Sequence, residues 1–273
     1  MNMNTDRSAI KDAKRIIIKI GTTSLTYENG HVNLNRIGHL TRVICDLMNR
    51  GKEVVLVTSG AIGIGVDKLK LQKRPSTLSG KQAAAAVGQL MLMNIYERFF
   101  SEFSQTVAQV LLTKNVTDGA ESRQNAINTF NELLSMGVVP IVNENDTVAV
   151  DEIKYGDNDF LSYIVADLTK ADLLVILSDI DGYYDKNPQE NKDAILLHTI
   201  TDLSEKIEKN AGGSGTALGT GGMLTKVHAS RLAAASGIWA VIANGEKPEV
   251  IYDILDGKEV GTVFVPETRK EKR

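Results

Sequence analysis

The sequence predicts an α/β protein with a mainly parallel central sheet and helices on both faces, a three-layer sandwich. Three observations predict it. Runs of β-branched and aliphatic residues recur along the chain without polar alternation, the pattern of strands buried on both faces. Stretches of helical spacing separate them, as the crossovers between parallel strands require. Most of the runs stop at glycine or at a cluster of small, acidic and amide residues, where a strand opens into a loop.

The elements follow in order. "RIIIKI" (15–20) is a buried strand ending at Gly21. Residues 34–50 carry Leu34, Ile37, Val43, Ile44 and Leu47 at helical spacing. "EVVLVTSG" (53–60) is a second strand, stopped by Gly60. "KQAAAAVGQLMLMNIYERFF" (81–100) is a long helix of strong helix formers. "TVAQVLLT" (106–113) reads as a strand and 119–135 as a helix. "GVVPIVNEND" (137–146) is a strand ending in polar residues, and a helix begins near Asp157. "DLLVILSD" (172–179) is a strand, 222–236 a helix, "IWAVIANG" (238–245) a strand, 248–255 a helix, and "GTVFV" (261–265) the last strand.

The domain reading is simple. Residues 1–14 form an N-terminal extension, 15–266 one domain, and 267–273 a solvated basic tail containing "RKEKR". The 273 residues include only 5 prolines, and no low-complexity linker divides them. A net charge of -3 without a concentrated basic face argues against nucleic acid. No apolar run is long enough to span a membrane, and the N-terminus lacks the apolar core of a signal peptide. Cys45 is the single cysteine, in an apolar helical stretch, and reads as a small buried residue. Together these features lead us to expect a cytoplasmic protein.

In parallel sheets ligands bind beyond the carboxyl ends of the strands. Those ends present "KIGTTSL" (19–25), "TSGAIGIG" (58–65), "NENDTVAV" (143–150), "YGDNDFLS" (155–162) and "SDIDGYYD" (178–185), joined by "GTGGMLTK" (219–226). Glycines let backbone N–H groups approach phosphate oxygens. "GTGGMLTK" is not a P-loop, because its lysine stands four residues after the last glycine. Lys19 and Lys226 stand beside two such turns, and two point charges there suit phosphoryl transfer, where catalysis is mostly positioning and electrostatics. The Asn and Asp side chains of "NEND" and "GDND" suit an ammonium and a carboxylate, or an acid that holds lysines in place.

Plainer readings exist for each piece. One glycine-rich loop is commonly only a turn. Lys226 alone reads equally as a solvated helix lysine, and Asp157 and Asp159 as helix caps. Lys19 is harder to dismiss, because a lysine inside an apolar strand needs a partner or an anion. The histidines at 31, 39, 198 and 228 lack metal spacing, so no metal ligand is assigned. "SDIDGYYD" lacks the third acid or amide of a calcium loop before its glycine. No G-x-G-x-x-G, H-R-D or D-F-G exists, which speaks against a dinucleotide dehydrogenase and a protein kinase.

Taken jointly, "KIGTTSL", "VTSGAIGIG", "KQAAAAVGQ", "ESRQNAINT", "NENDTV", "GDND" and "TGGMLTK" resemble the amino acid kinase superfamily, and within it the branch whose acceptor is glutamate. The likeness runs from about Arg15 to about Val265. It implies transfer of the γ-phosphoryl group of ATP, brought with Mg²⁺, to the side-chain carboxylate of L-glutamate, the first step of proline synthesis. It further implies that Lys19 contacts the γ-phosphoryl, Lys226 the leaving side, and that Asp159 holds both lysines. Ser59, Gly60, Asn143, Asp146 and Asn158 are implied for glutamate, Asp146 being suited to the α-ammonium and Ser59 to a carboxylate. Gly21, Ser178, Asp179, Thr220, Gly221, Gly222, Met223, Leu224 and Thr225 are implied for ATP with the two lysines. A homo-oligomer, feedback inhibition by proline and association with the next enzyme of proline synthesis are implied as well. Three departures stand out: Ser178 where the family often has Thr, Leu224 where it usually has Ser, and an end at Arg273 where many members continue into a PUA domain. The latter suggests a form without that domain. Two rival readings share these residues: a sibling kinase with another acceptor, and a non-catalytic amino-acid sensor on the same fold.

Overall fold

The structure is a computed structural model, and it describes residues 6–27, 29–113, 116, 119–148, 158–210 and 222–267. Eight strands form one sheet: β1 (Arg15–Ile20), β2 (Glu53–Val57), β3 (Val107–Leu112), β4 (Val139–Glu144), β5 (Leu173–Ser178), β6 (Thr199–Ile200), β7 (Trp239–Asn244) and β8 (Thr262–Phe264). Their order is β3-β4-β2-β1-β5-β7-β8-β6. Pairing is parallel throughout except between β7 and β8, so β8 and its parallel partner β6 run against the rest. The predicted mainly parallel sheet is therefore present, with a reversed edge.

Helices cover both faces. They are α1 (Thr22–Leu25), α2 (Leu34–Asn49), α3 (Ala61–Lys68), α4 (Leu78–Ser101), α5 (Ala120–Ser135), α6 (Asn158–Thr169), α7 (Lys206–Asn210), α8 (Met223–Ala235) and α9 (Val250–Leu255). Side chains alternate along β1. Ile16, Ile18 and Ile20 join the core layer of α2 and α4, with Leu40, Ile44, Tyr96 and Phe100. Ile17 joins the opposite layer of α5, α6 and α8, with Phe130, Leu161, Val165 and Val227. Lys19 shares the parity of Ile17, so the strand delivers its ammonium to the side of α6 and α8.

Four short elements and one helix of two turns lie beyond the sequence reading. The N-terminal residues Arg7–Asp12 form a 3₁₀ helix whose Ile10 is buried in the α2/α4 layer. Its Arg7 guanidinium donates to the carbonyls of Lys258 (3.0 Å), Val260 (2.9 Å) and His198. The others are α1, β6 and α7. The larger omission is α3, whose glycines disguise it as a loop.

One of those glycines, Gly65, is explained by α4, whose own Gly88 answers it. A Cβ on Gly65 would lie 1.8 Å from the Ala84 carbonyl oxygen, and one on Gly88 would lie 1.7 Å from that of Ala61. The two backbones touch, and only hydrogen fits between them. Helix propensity alone makes Gly→Ala stabilising by about 1 kcal/mol. Overpacking reverses the sign, and we expect Gly88→Ala to destabilise the fold by about 1–3 kcal/mol in urea unfolding. A stability equal to or above the parent's would show that the helices part freely.

Candidate active site

The site grows from the carboxyl ends of β1, β2 and β4 and the N-terminal turns of α6 and α8. Asp159, the second residue of α6, is 1% exposed. Its carboxylate meets the Lys19 ammonium at 2.5 Å through Oδ1. Through Oδ2 it meets the Lys226 ammonium at 3.4 Å and accepts from the Thr225 hydroxyl at 2.7 Å. Burial by itself pushes this carboxyl's pKa up. The ammoniums of Lys19 and then Lys226, with hydrogen bonds from Lys19 and Thr225, outweigh it and hold the group well below the usual carboxylate range. Lys226 is buried in the first turn of α8 rather than solvated, and Asp159 serves the lysines rather than merely capping α6. Two ammoniums gathered round one carboxylate make a cationic locus suited to phosphoryl oxygens.

Beside it runs a chain of amides. Asn158, the first residue of α6, directs Nδ2 to the Thr58 carbonyl (2.6 Å), the Ser59 hydroxyl (2.8 Å) and Asn143 Oδ1 (2.9 Å). Asn143 Oδ1 also accepts from the Glu144 backbone N–H at 2.9 Å, and its Nδ2 donates to Gln89 Oε1 at 2.7 Å. Gly60 follows with φ at +99°, a left-handed conformation that glycine adopts without strain and that turns the chain into α3. Asp146 is half-buried just beyond β4. Burial raises its pKa to about 6, against the pull of Arg74.

The remaining expected residues are located as follows. Gly21 precedes α1, where a Cβ would lie 3.4 Å from Lys19 Nζ. Ser178 ends β5, the strand next to β1, and is buried, its hydroxyl donating to Asp179 Oδ1 at 3.1 Å. Gly222 precedes α8 and takes a bond from the Thr225 hydroxyl at 2.9 Å, while Met223 and the exposed Leu224 open the helix. Thr220 and Gly221 lie outside the described residues. The structure thus joins Lys19, Asp159, Thr225 and Lys226 in one cluster and Ser59, Asn143 and Asn158 in an adjoining one. Among the described residues no group of three or more His, Cys, Asp or Glu stands ready for a metal ion.

Two residues escaped sequence reasoning. Gln89 extends the amide chain, and the Tyr96 hydroxyl, fully buried, bonds the Thr58 hydroxyl at 2.9 Å. Both stand on α4, seven residues apart and so on one face. Two polar tips at that spacing, beside Gly88, were the available signal.

Comparison with known proteins points the same way. Residues 14–244 match the family model described as "Amino acid kinase family". A "Glutamate 5-kinase" of Clostridium perfringens (strain 13 / Type A) is 55% identical over 263 residues, covering 95% of this chain and 98% of the relative. One of Listeria monocytogenes (serotype 4a, strain HCC23) is 52% identical over 270 residues, covering 97% of each. Among solved structures, the UMP kinase of Bacillus anthracis superposes with a TM-score of 0.62 at 17% identity, over 94% of this chain and 97% of that one. The isopentenyl phosphate kinase of T. acidophilum gives 0.60 at 20%, over 92% and 99%. These two share the fold.

Proposed function

The chain belongs to the amino acid kinase family, and from that premise we propose that it transfers the γ-phosphoryl group of ATP to the side-chain carboxylate of L-glutamate. The products are L-glutamyl 5-phosphate and ADP, and the reaction opens proline synthesis. The observation that carries this reading is the Lys19–Asp159–Lys226 cluster set beside the amide chain. A carboxylate acceptor is already ionised at neutral pH, so the attack needs no general base. One carboxylate oxygen bonds to the γ-phosphorus while the bond to the β–γ bridging oxygen breaks, and the electron pair leaves with ADP. Charge spreads over the moving group, and Lys19 meets it there. Lys226 meets the charge that grows on the leaving oxygen, and Asp159 keeps both ammoniums aimed. Gly21, Ser178, Asp179 and residues 222–225 at the start of α8 are assigned to the nucleotide, together with Thr220 and Gly221. The substrate is MgATP, its ion held mostly by phosphate oxygens and water, as magnesium prefers. The protein works in the cytoplasm as a homo-oligomer, is restrained by proline, and hands its reactive acyl phosphate to the next enzyme of the route. Residues 15–266 form the catalytic domain.

The test is ADP release with a panel of acceptors (glutamate, aspartate, acetylglutamate, carbamate and a nucleoside monophosphate), with hydroxylamine to trap the acyl phosphate. Glutamate should be the preferred acceptor. Preference for another would favour a sibling kinase, and no turnover with any would favour a sensor.

Asp146 supplies a second test. Its carboxylate is assigned to the substrate ammonium, and a charged hydrogen bond is worth roughly 1.5–3 kcal/mol. Asp146→Asn should therefore raise the glutamate KM roughly tenfold to a hundredfold while the ATP KM stays put. Because burial lifts its pKa to about 6, the ionised form is lost as pH falls through that value. The parent's glutamate KM should climb below pH 6, and that of Asp146→Asn should not follow. A parent KM that stays flat down to pH 5 would remove Asp146 from the site.

A further inference from the structure

The orientation of an amide is normally an assignment between nitrogen and oxygen. Here two backbone groups fix it. The Thr58 carbonyl can only accept, so the atom of Asn158 at 2.6 Å from it is the nitrogen. The Glu144 N–H can only donate, so the atom of Asn143 at 2.9 Å from it is the oxygen. The nitrogen of Asn143 must then face Gln89, which presents its oxygen at 2.7 Å. Polarity propagates along the row and leaves one group over at each end. Among the described residues, Gln89 Nε2 and Asn158 Oδ1 are both buried and both lack a hydrogen-bond partner. A buried polar atom left unsatisfied carries its full desolvation cost, so a partner is expected for each. A donor at one end and an acceptor at the other match a zwitterion.

The distances run the same way. Asn143 on β4 is two strands from Lys19 on β1, roughly 10 Å at a spacing of about 4.8 Å per strand. The two carboxyl carbons of extended glutamate are separated by four C–C bonds of about 1.52 Å, roughly 5 Å in all. With a hydrogen bond of about 2.9 Å at each end the acceptor reaches roughly 11 Å, the same order as that backbone separation. With the reacting carboxylate at Lys19, the other carboxylate lies toward Asn143 and Gln89.

We infer that Gln89 is a specificity-determining residue whose side-chain N–H groups receive the α-carboxylate of the acceptor, while Asn158 Oδ1 faces its ammonium. This rests on the reading of the chain as a glutamate kinase. A role confined to holding Asn143 is the alternative, and the two separate on substrate choice. The probe is glutamate against its α-amide, which keeps the reacting side-chain carboxylate but replaces the α-carboxylate by a group that can donate.

The parent should favour glutamate over the α-amide in kcat/KM by roughly tenfold or more, the scale of a charged hydrogen bond. Gln89→Glu keeps the oxygen that Asn143 needs and replaces the donor by a repelling carboxylate. Its preference should collapse or invert, because the α-amide can now donate to it. Gln89→Met removes the donor without adding charge, and should bring the ratio toward one while the ATP KM holds. A parent indifferent to the two acceptors would overturn the inference, as would equal losses on both in the variants. If the parent phosphorylates neither, the glutamate kinase reading itself has failed. Should Gln89→Glu not fold, Gln89→Met and the parent ratio decide.

Discussion

Asp159→Ala is expected to lower kcat at least roughly a thousandfold, the upper end of what one preorganised electrostatic group supplies. The carboxylate touches no substrate in the proposed reaction, yet it aims both lysines, and losing it leaves two buried ammoniums facing each other. Removing one partner of a buried ion pair costs about 3–5 kcal/mol, so the same variant should unfold at markedly lower urea. Asp159→Asn separates charge from shape. It preserves the volume and a hydrogen-bond acceptor for Thr225, and should recover part of the stability but little of the rate. The native carboxyl is held well below its unfolded value, so its stabilisation is present above about pH 4 and is lost as pH falls below that. A kcat within tenfold of the parent, with the fold confirmed by circular dichroism, would end the role given to Asp159.

Lys226→Ala should lower kcat by roughly a hundredfold or more, the scale of removing one preorganised donor. The glutamate KM should move much less, since in the proposed site the amide chain and Asp146 hold that substrate. Lys226→Arg should not rescue the rate, because a planar fork does not reproduce a compact point charge on the leaving oxygen. The structure gives this experiment a control. Lys19 still neutralises Asp159 when Lys226 is gone, so this variant should lose far less stability than Asp159→Ala. A kcat within threefold of the parent would show that Lys226 takes no part in the chemistry.

Legibility differed by the kind of signal. Strands β1, β2 and β5 stood out because continuous aliphatic runs have one natural home, a sheet covered on both sides. Lys19 stood out for the same reason, as a charge inside such a run. Helix α3 did not, because glycines that let two backbones touch look the same in one dimension as glycines that open a loop. Its identity depends on Ala61 and Ala84 lying opposite, which is a tertiary fact. Asp159 was legible only through the resemblance, since by its local spelling it reads equally as a helix cap, until the fold brought Lys19 and Lys226 to it. Gln89 was hidden by its setting in a long alanine-rich helix, since a glutamine there is an ordinary helix former. The N-terminal segment read as an appendage, because nothing local reveals that Arg7 finds carbonyls some 250 residues away.

The separation of Lys19 from Asp159 also bears on how the chain is made. They stand 140 residues apart (159 − 19). At about 5–20 residues per second of synthesis, the lysine waits roughly 7–28 s for its carboxylate. Throughout that interval "RIIIKI" is a nascent segment of high β propensity whose partner on one side, β5, has not left the ribosome. Such segments associate with one another unless a charge interrupts them. Lys19, with Arg15 at the segment's start, is such a charge, so the ammonium proposed for a phosphoryl group is also placed to keep nascent chains apart.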